Sequence, residues 1–214
     1  MQISKLFTQL IIATAGISTS FGQSTQGWKL EKMPPALETE FALSSLPPRL
    51  RDAATVYLLD PDKGYYMARK GSNGFSSFVM RTQWEKAEFL PDVYSPMSYD
   101  EEGTKTFVAV YFDVAAMRAT GKYSPAQIRD TVLKRIKDGR YKGPSRTGIS
   151  YMLSPLNRGQ ASDGLSNSVM PHYMIYAPRV DNKDIGGDWD EGHSPFAISP
   201  SDNLLDKEHS IFNL

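Results

Sequence analysis

The side chains best suited to proton transfer or metal binding are few in this chain. It has three histidines in 214 residues and no cysteine. His172 lies in the segment MPHYMIYAP, where it would open a strand, and histidine is the side chain most suited to proton transfer near neutral pH. Glu102 is the second candidate, as an acid–base group or as a ligand. A lone histidine at a strand start is also typical of a structural role, so both interpretations stay open.

A second polar cluster is the segment DWDEGH at 188–193. Its three carboxylates and His193 could hold a divalent cation through oxygen and imidazole ligands. The spacing matches neither an EF-hand loop nor H-E-x-x-H, and a solvated acidic loop explains the same residues. Glu102, His172 and His193 would make a chemically sensible metal site, although no feature of the sequence brings them together. The sequence carries no motif that names a cofactor.

The segment ARKGSNGF at 68–75 combines basic residues with a glycine-rich turn. Anion-binding loops lie between a strand and a helix, but this one precedes the strand-like FSSFVMR, so a hairpin turn is favoured. Arg69 then falls on a mostly apolar face. It either extends along that face to the solvent or pairs with a carboxylate, in which case it could bind the carboxylate or phosphate of a ligand. Arg69, His172 and Tyr173 are the predicted ligand contacts.

Composition excludes several classes of function. The absence of cysteine excludes disulfides, thiolate metal sites and a cysteine nucleophile. Neither G-x-S-x-G nor S-x-x-K occurs, so the sequence gives no sign of a serine nucleophile. Lys plus Arg and Asp plus Glu are both 24, and a chain of balanced charge has no global field with which to hold nucleic acid.

The N-terminus has the pattern of a secretory signal peptide. One basic residue precedes an apolar run from Leu6 to Ile17, and small polar residues then lead to Gly22. The run is shorter than the ~20 apolar residues that a membrane-spanning helix needs. We therefore expect a signal peptide at 1–22, a tether at 23–35, one domain at 36–214, no membrane span after cleavage, and a periplasmic or secreted product.

The order of predicted elements indicates an α+β fold with an antiparallel sheet. We expect a three-strand meander at about 54–81, with Asn73-Gly74 in a type I′ turn that places Arg69 opposite Phe78. Further strands are predicted at about 147–153 and 172–177, with a last short strand at His209 to Leu214. Two or three helices pack against the sheet; their predicted positions are 36–45, a segment ending at Gly121 after a capping box at Ser98–Glu101, and one that begins after Ser124 as N-cap. Residues 82–99 and the 18 residues between the last two main strands are predicted to be irregular.

Several phrases resemble a group of uncharacterised exported bacterial proteins. They are ARKGSNGF (68–75), YDEEG (99–103), RATGKYSPAQI (118–128), GISYMLS (148–154) and MPHYMIYAP (170–178). The resemblance implies one exported domain and carries no activity, cofactor or catalytic residue.

Two hypotheses of function follow. The first is a non-enzymatic protein of the cell envelope that binds a small ligand, in a pocket between the meander and the 147–177 strands. The second is a small hydrolase, with or without a metal ion, that uses His172 and Glu102. The sequence leaves the oligomeric state open.

Overall fold

A computed structural model describes residues 30–81, 87, 89–90, 92–160, 166–178, 183–184 and 186. The first half contains the elements α1 (Pro35–Ser44), α2 (Pro48–Arg51), β1 (Thr55–Asp60), β2 (Gly64–Arg69), β3 (Ser76–Met80) and β4 (Ser95–Tyr99). A continuous helical segment follows, made of α3 (Glu101–Gly103), a π-helical turn (Thr104–Val108) and α4 (Ala109–Ala119). The remaining elements are α5 (Pro125–Lys137), β5 (Gly148–Met152), β6 (Arg158–Gln160), β7 (Ser166–Ser168) and β8 (His172–Tyr176).

Six strands form one mixed, largely antiparallel sheet in the order β2-β1-β3-β4-β5-β8, which confirms the α+β class. One face carries the main core, where buried side chains of the sheet such as Phe78, Met97 and Tyr176 meet Val114 of α4 and Ile128 of α5. On the other face, α1 packs against β1, β3 and β4. The sheet therefore has helices on both sides. The helix α1 lies over β1, β3 and β4, and its C-cap Ser45 contacts the chain just after β5, where the Ser45 carbonyl accepts from the Leu153 N–H.

The helix α5 begins where local capping chemistry predicts. Ser124 accepts a hydrogen bond from the Gln127 N–H, and the Gln127 side chain accepts one from the Ser124 N–H, which is a complete capping box before α5. The predicted capping box at Ser98–Glu101 is wrong. Ser98 lies in β4, and the Asp100 carboxylate caps α3 by accepting from the Gly103 N–H.

The predicted three-strand meander is also wrong, although its first hairpin is correct. β2 pairs with β1 in antiparallel orientation, whereas β3 lies on the other side of β1 and runs parallel to it. Arg69 is therefore opposite Val56 and not Phe78. A type I′ turn needs positive φ at both central residues; Gly74 has φ 82°, but Ala87 is the only non-glycine residue with positive φ in the described chain, so Asn73 does not adopt it.

The segment Gly71–Gly74 carries the chain across the start of β1. The N–H groups of Ser72 and Asn73 both donate to the Ala53 carbonyl, at 2.7 and 3.1 Å. The Asn73 amide donates to the Leu50 carbonyl at 2.7 Å. A Cβ at Gly71 would overlap the Ala53 carbonyl oxygen, so glycine permits the close crossing. The glycine loop is a crossover, not a hairpin tip.

Two regions predicted to be irregular contain strands. All five residues of β4 are buried, and this strand joins β3 to β5. β6 and β7 form a small antiparallel pair between β5 and β8. The strand predicted at 209–214 lies outside the described residues.

The packed part of the chain begins before the predicted end of the tether. Leu30 is buried with Leu59, Phe89 and Ala115, and Lys32 forms an ion pair with Asp60 at 2.9 Å. Within the described residues, no helix is long and apolar enough to cross a bilayer.

Candidate binding surface

An apolar surface lies at the β5–β8 end of the sheet, on the face that also carries α1. Ile149 is paired with Ile175, and Tyr151 with Tyr173; side chains directly opposite each other share one face. Phe75, which precedes β3, brings its ring next to that of Tyr151. We call these five residues the shelf.

The shelf is open because of where the helices lie. Met152, Met174 and Tyr176 alternate with the shelf residues and point into the main core. On the shelf side, Tyr173 is 60% exposed and Ile175 is 46% exposed. The other three shelf residues are half-buried, so this end of the sheet presents apolar side chains to solvent.

The three aromatic rings of the shelf form a row, in the order Phe75, Tyr151 and Tyr173. The ring centroids of Phe75 and Tyr151 are 5.8 Å apart, and those of Tyr151 and Tyr173 are 6.4 Å apart, both in tilted arrangements. These spacings are within the range of favourable ring contacts. The row offers ring faces and edges together with two tyrosine hydroxyls.

His172 lies at the beginning of β8, opposite Met152, and so on the sheet face away from the shelf. Its Nδ1 lies 2.7 Å from the Met170 carbonyl oxygen, within hydrogen-bonding distance. The next residue, Tyr173, is the one predicted ligand contact that belongs to the shelf. Adjacent residues of a strand point to opposite faces, so His172 and Tyr173 do not act on one ligand from the same side.

Glu102 is buried in the first turn after β4, with 8% of its surface exposed. Its Oε1 accepts hydrogen bonds from the Ser145 N–H and from the Ser145 Oγ, the latter at 2.8 Å. Its Oε2 is 3.5 Å from Arg146 Nε. The bonds from Ser145 hold the pKa of Glu102 below its ordinary value, against the opposing effect of burial. Glu102 is an ionised residue that anchors the 145–146 loop.

Arg69 meets main-chain carbonyls. Its Nε and Nη2 donate to the Ala54 oxygen at 3.1 and 3.0 Å, and Nη2 also donates to the Arg51 oxygen at 2.6 Å. These contacts fasten the end of β2 to the connection between α2 and β1. Three of the donors of this arginine are engaged within the fold itself.

The structure does not bring the predicted site residues together. Arg69 is on β2 and His172 on β8, the two edges of the sheet. Five strand spacings of ~4.8 Å place them about 24 Å apart. Glu102 precedes Gly103, whose N–H donates to the Tyr176 hydroxyl at the far end of β8. The four steps along the strand from Tyr176 to His172 span about 13 Å at ~3.3 Å each. Glu102 and His172 therefore lie at opposite ends of the β5–β8 pair.

The metal-site candidates can be placed only in part. His193 and the acidic segment 188–191 lie outside the described residues. Among the residues that the structure does describe, no group of three His, Asp or Glu side chains could hold a metal ion.

A polar cluster that the sequence did not reveal centres on Asp100. Its carboxylate accepts from the Gly103 N–H at 2.9 Å, from the Ile149 N–H at 3.0 Å and from the Tyr176 hydroxyl. Burial, followed by the Asp100 carboxylate, raises the pKa of Tyr176 well above its usual range. A Cβ at Gly148 would overlap the Tyr176 ring. The cluster joins α3, β5 and β8, so it fixes the position of the shelf strands.

A cavity of about 470 Å³ lies near the opposite end of the sheet, lined by Leu30, Glu31, Lys32, Asp60, Pro61 and Asp62. The ion pair between Lys32 and Asp60 belongs to its wall. None of the predicted ligand contacts lines this cavity.

No family model, curated protein or solved structure matches this chain. The assignment of a function therefore rests on the geometry of the molecule.

Proposed function

We propose that this protein is a non-enzymatic, exported binding protein and that the shelf holds its ligand. The observation that carries the proposal is the exposed apolar row on β5 and β8, with Tyr173 60% and Ile175 46% exposed. Contiguous apolar surface of this kind is a feature of binding sites, because single exposed apolar residues are common but patches are not.

The chemistry of the shelf indicates a small ligand with a flat, apolar ring. The rings of Phe75, Tyr151 and Tyr173 offer stacking and edge contacts at successive positions. The hydroxyls of the two tyrosines can donate to or accept from a polar substituent on such a ring.

The engagement of the acid–base candidates supports a binding role over catalysis. Glu102 accepts from Ser145, and His172 contacts the Met170 carbonyl oxygen through Nδ1. A general acid and base need to reach the same substrate within hydrogen-bonding distance. The placement of Glu102 and His172 at opposite ends of β8 does not favour that arrangement.

A fluorescence titration with 1-anilinonaphthalene-8-sulfonate, a probe with apolar aromatic rings and one sulfonate group, tests the proposal. The double variant Tyr151→Ser, Tyr173→Ser is expected to bind the probe about tenfold more weakly than the unmodified protein, since two ring contacts of ~0.5–1.5 kcal/mol each are lost. The matched control is Tyr66→Ser, which removes a tyrosine 38% exposed on β2. Equal affinity in the double variant, or an equal loss in the control, would reject the shelf as the binding site.

Export is supported by the signal-peptide pattern of residues 1–22. Expression of the full chain in a bacterial host, followed by mass determination of the product in the periplasm or medium, is expected to give a chain that begins near Gln23. A product that keeps Met1 and stays in the cytoplasm would contradict export without affecting the assignment of the shelf.

A further inference from the structure

The strand β8 is an edge of the main sheet, and the residues of the strand itself do not prevent another strand from pairing with that edge. Among the described residues, β8 pairs on one side only, with β5. Prolines flank β8 at 171 and 178, but the strand itself, HYMIY, contains neither a charged residue nor a proline. Met170, Tyr173 and Ile175 are 81%, 60% and 46% exposed. Edge strands that stay unpaired normally carry charges or prolines, because free N–H and C=O groups are a template for another strand.

The opposite edge of the same sheet has this protection. β2 is flanked by Lys63 and Lys70 and ends in Arg69. Lys32 also lies over the ring of Tyr66, with its Nζ 5.2 Å from the ring centroid. The contrast indicates that the outer edge of β2 faces solvent and that the outer edge of β8 pairs with another strand.

The hydrogen bonding of β5 shows which main-chain groups of β8 are available. The Ile149 N–H donates to the Asp100 carboxylate, and the Ile149 carbonyl accepts from the Asp100 N–H at 3.1 Å. Both groups thus point toward β4. The pair Ile149–Ile175 is therefore a non-hydrogen-bonded pair of the antiparallel ladder. The N–H and C=O of Ile175 point away from β5, and those of Tyr173, two residues earlier, do the same.

We propose that two copies of this protein pair through β8. An antiparallel arrangement with Tyr173 opposite Ile175 of the second copy satisfies both outward N–H and both outward C=O groups of each strand. It forms four main-chain hydrogen bonds and places Met174 opposite Met174 of the second copy on the two-fold axis. Pro171, which has no N–H, bounds the pairing on one side, and Pro178 bounds it on the other. In this register, the outward N–H and C=O groups of one copy of β8 match those of the second copy.

The side chains agree with this register. Each hydrogen-bonded pair sets an aromatic residue against a β-branched one, a favourable cross-strand combination. No charge lies on either strand to repel its copy. A two-fold axis perpendicular to the sheet keeps the shelf of each copy on the same face. The two shelves become one continuous apolar surface on a sheet of twelve strands, and this pairing does not depend on the shelf binding a ligand.

Sedimentation equilibrium of the full chain without its signal peptide tests the pairing. Over roughly 1 μM to 1 mM, the range suited to a small interface, the mean mass is expected to rise from one chain to two. Ile175→Lys places a charge on the edge and is expected to keep the protein monomeric throughout. Met67→Lys is the matched control, since Met67 is 50% exposed on β2; it is expected to dimerise like the unmodified protein.

The register is tested by crosslinking, for which the cysteine-free chain is well suited. Tyr173→Cys and Ile175→Cys are prepared as separate variants, mixed and oxidised. Residues of a hydrogen-bonded antiparallel pair have Cα atoms ~5.5 Å apart, which lies within the Cα range of disulfides. The mixture is therefore expected to form a crosslinked dimer in much higher yield than either variant alone. A monomer at all concentrations, or equal crosslinking of the mixture and the single variants, would overturn the proposal; occupation of β8 by another segment of the chain would give the first result. Neither assay contains the ring-bearing probe. A negative result in these assays therefore rejects the dimer and leaves the proposed function of the shelf untouched.

Discussion

Glu38 is a buried carboxyl group in the middle of the contact between α1 and the sheet. It is 3% exposed, and its Oε1 accepts from the Leu59 N–H at 2.8 Å. β1 and β3 pair only at Thr55 and Val56, so β3 does not reach Leu59. The Glu38 carboxyl group accepts the hydrogen bond of the Leu59 N–H instead. Burial raises the pKa of Glu38 to about 7, although the bond from Leu59 and the charges of Arg81 and Lys32 act in the opposite direction.

The raised pKa predicts a pH dependence of stability. The folded state binds a proton more tightly than the unfolded state, so the stabilisation is complete below pH 4.5 and is lost as the pH rises through about 7. The corresponding change in the free energy of unfolding is about 3 kcal/mol at 1.36 kcal/mol per pKa unit. Glu38→Gln is expected to remove this part of the pH dependence and to stabilise the protein at pH 8.

Urea unfolding of this variant between pH 4.5 and 8 measures the effect. Glu40→Gln is the matched control, because Glu40 is exposed on the same helix. An unchanged pH profile in Glu38→Gln would show that Glu38 is ionised in the fold at neutral pH.

At the scale of residues, local chemistry was predictable and long-range partners were not. Tyr173 stays a predicted ligand contact, and the strand that contains it was predicted correctly. Its companions Phe75 and Tyr151 are distant in the chain and meet it only through the order of β3, β4, β5 and β8. Asp100 and Tyr176 are 76 residues apart, and no local pattern marks them as partners.

At the scale of elements, the Arg69 side chain joins β2 to the end of α2. Arg69→Met keeps the apolar stem but removes the three hydrogen bonds to the carbonyls of Arg51 and Ala54. We expect the free energy of unfolding to fall by about 1–3 kcal/mol, the cost of leaving such acceptors unpaired. Chemical unfolding monitored by circular dichroism measures the change.

Lys70→Met is the control for this variant, since Lys70 is the exposed neighbour of Arg69. If Arg69→Met unfolds at the same urea concentration as the unmodified protein, the hydrogen bonds of Arg69 contribute nothing to stability, and a role of Arg69 in binding an anion would be favoured instead.

The elements with strong local signals were predicted well. α5 has its N-cap serine, first-turn proline and capping box, and β1, β5 and β8 have apolar strand patterns. β4 was missed because its sequence, SPMSY, contains proline and two serines, yet every residue is buried. The place of β3 was wrong because Asn73-Gly74 favours a hairpin locally. The contacts of Ser72 and Asn73 with Ala53 and of the Asn73 amide with Leu50 override that preference.

At the scale of the whole molecule, the sheet has two unlike ends. The β2 end carries charged residues, including Arg69 with its hydrogen bonds to main-chain carbonyls, and α4 packs against β2. At the β8 end, apolar side chains are exposed on one face, and among the described strands β8 has a neighbour only on its β5 side. Which part of the sheet a helix covers depends on the order of the strands, and this order is not visible in the sequence. The sequence therefore predicted a ligand contact at Tyr173 but not the apolar surface around it.

The shelf is tested most directly by a methyl NMR spectrum of the protein with isotope-labelled isoleucine δ1 groups. On titration with 1-anilinonaphthalene-8-sulfonate, the methyl signals of Ile149 and Ile175 are expected to shift in a saturable manner, since the ring of the probe lies beside them. The signal of Ile128, which lies on the buried face of α5, is expected to stay in place. Unmoved signals of Ile149 and Ile175 while the probe binds would show that the ligand lies elsewhere and would contradict the proposed function.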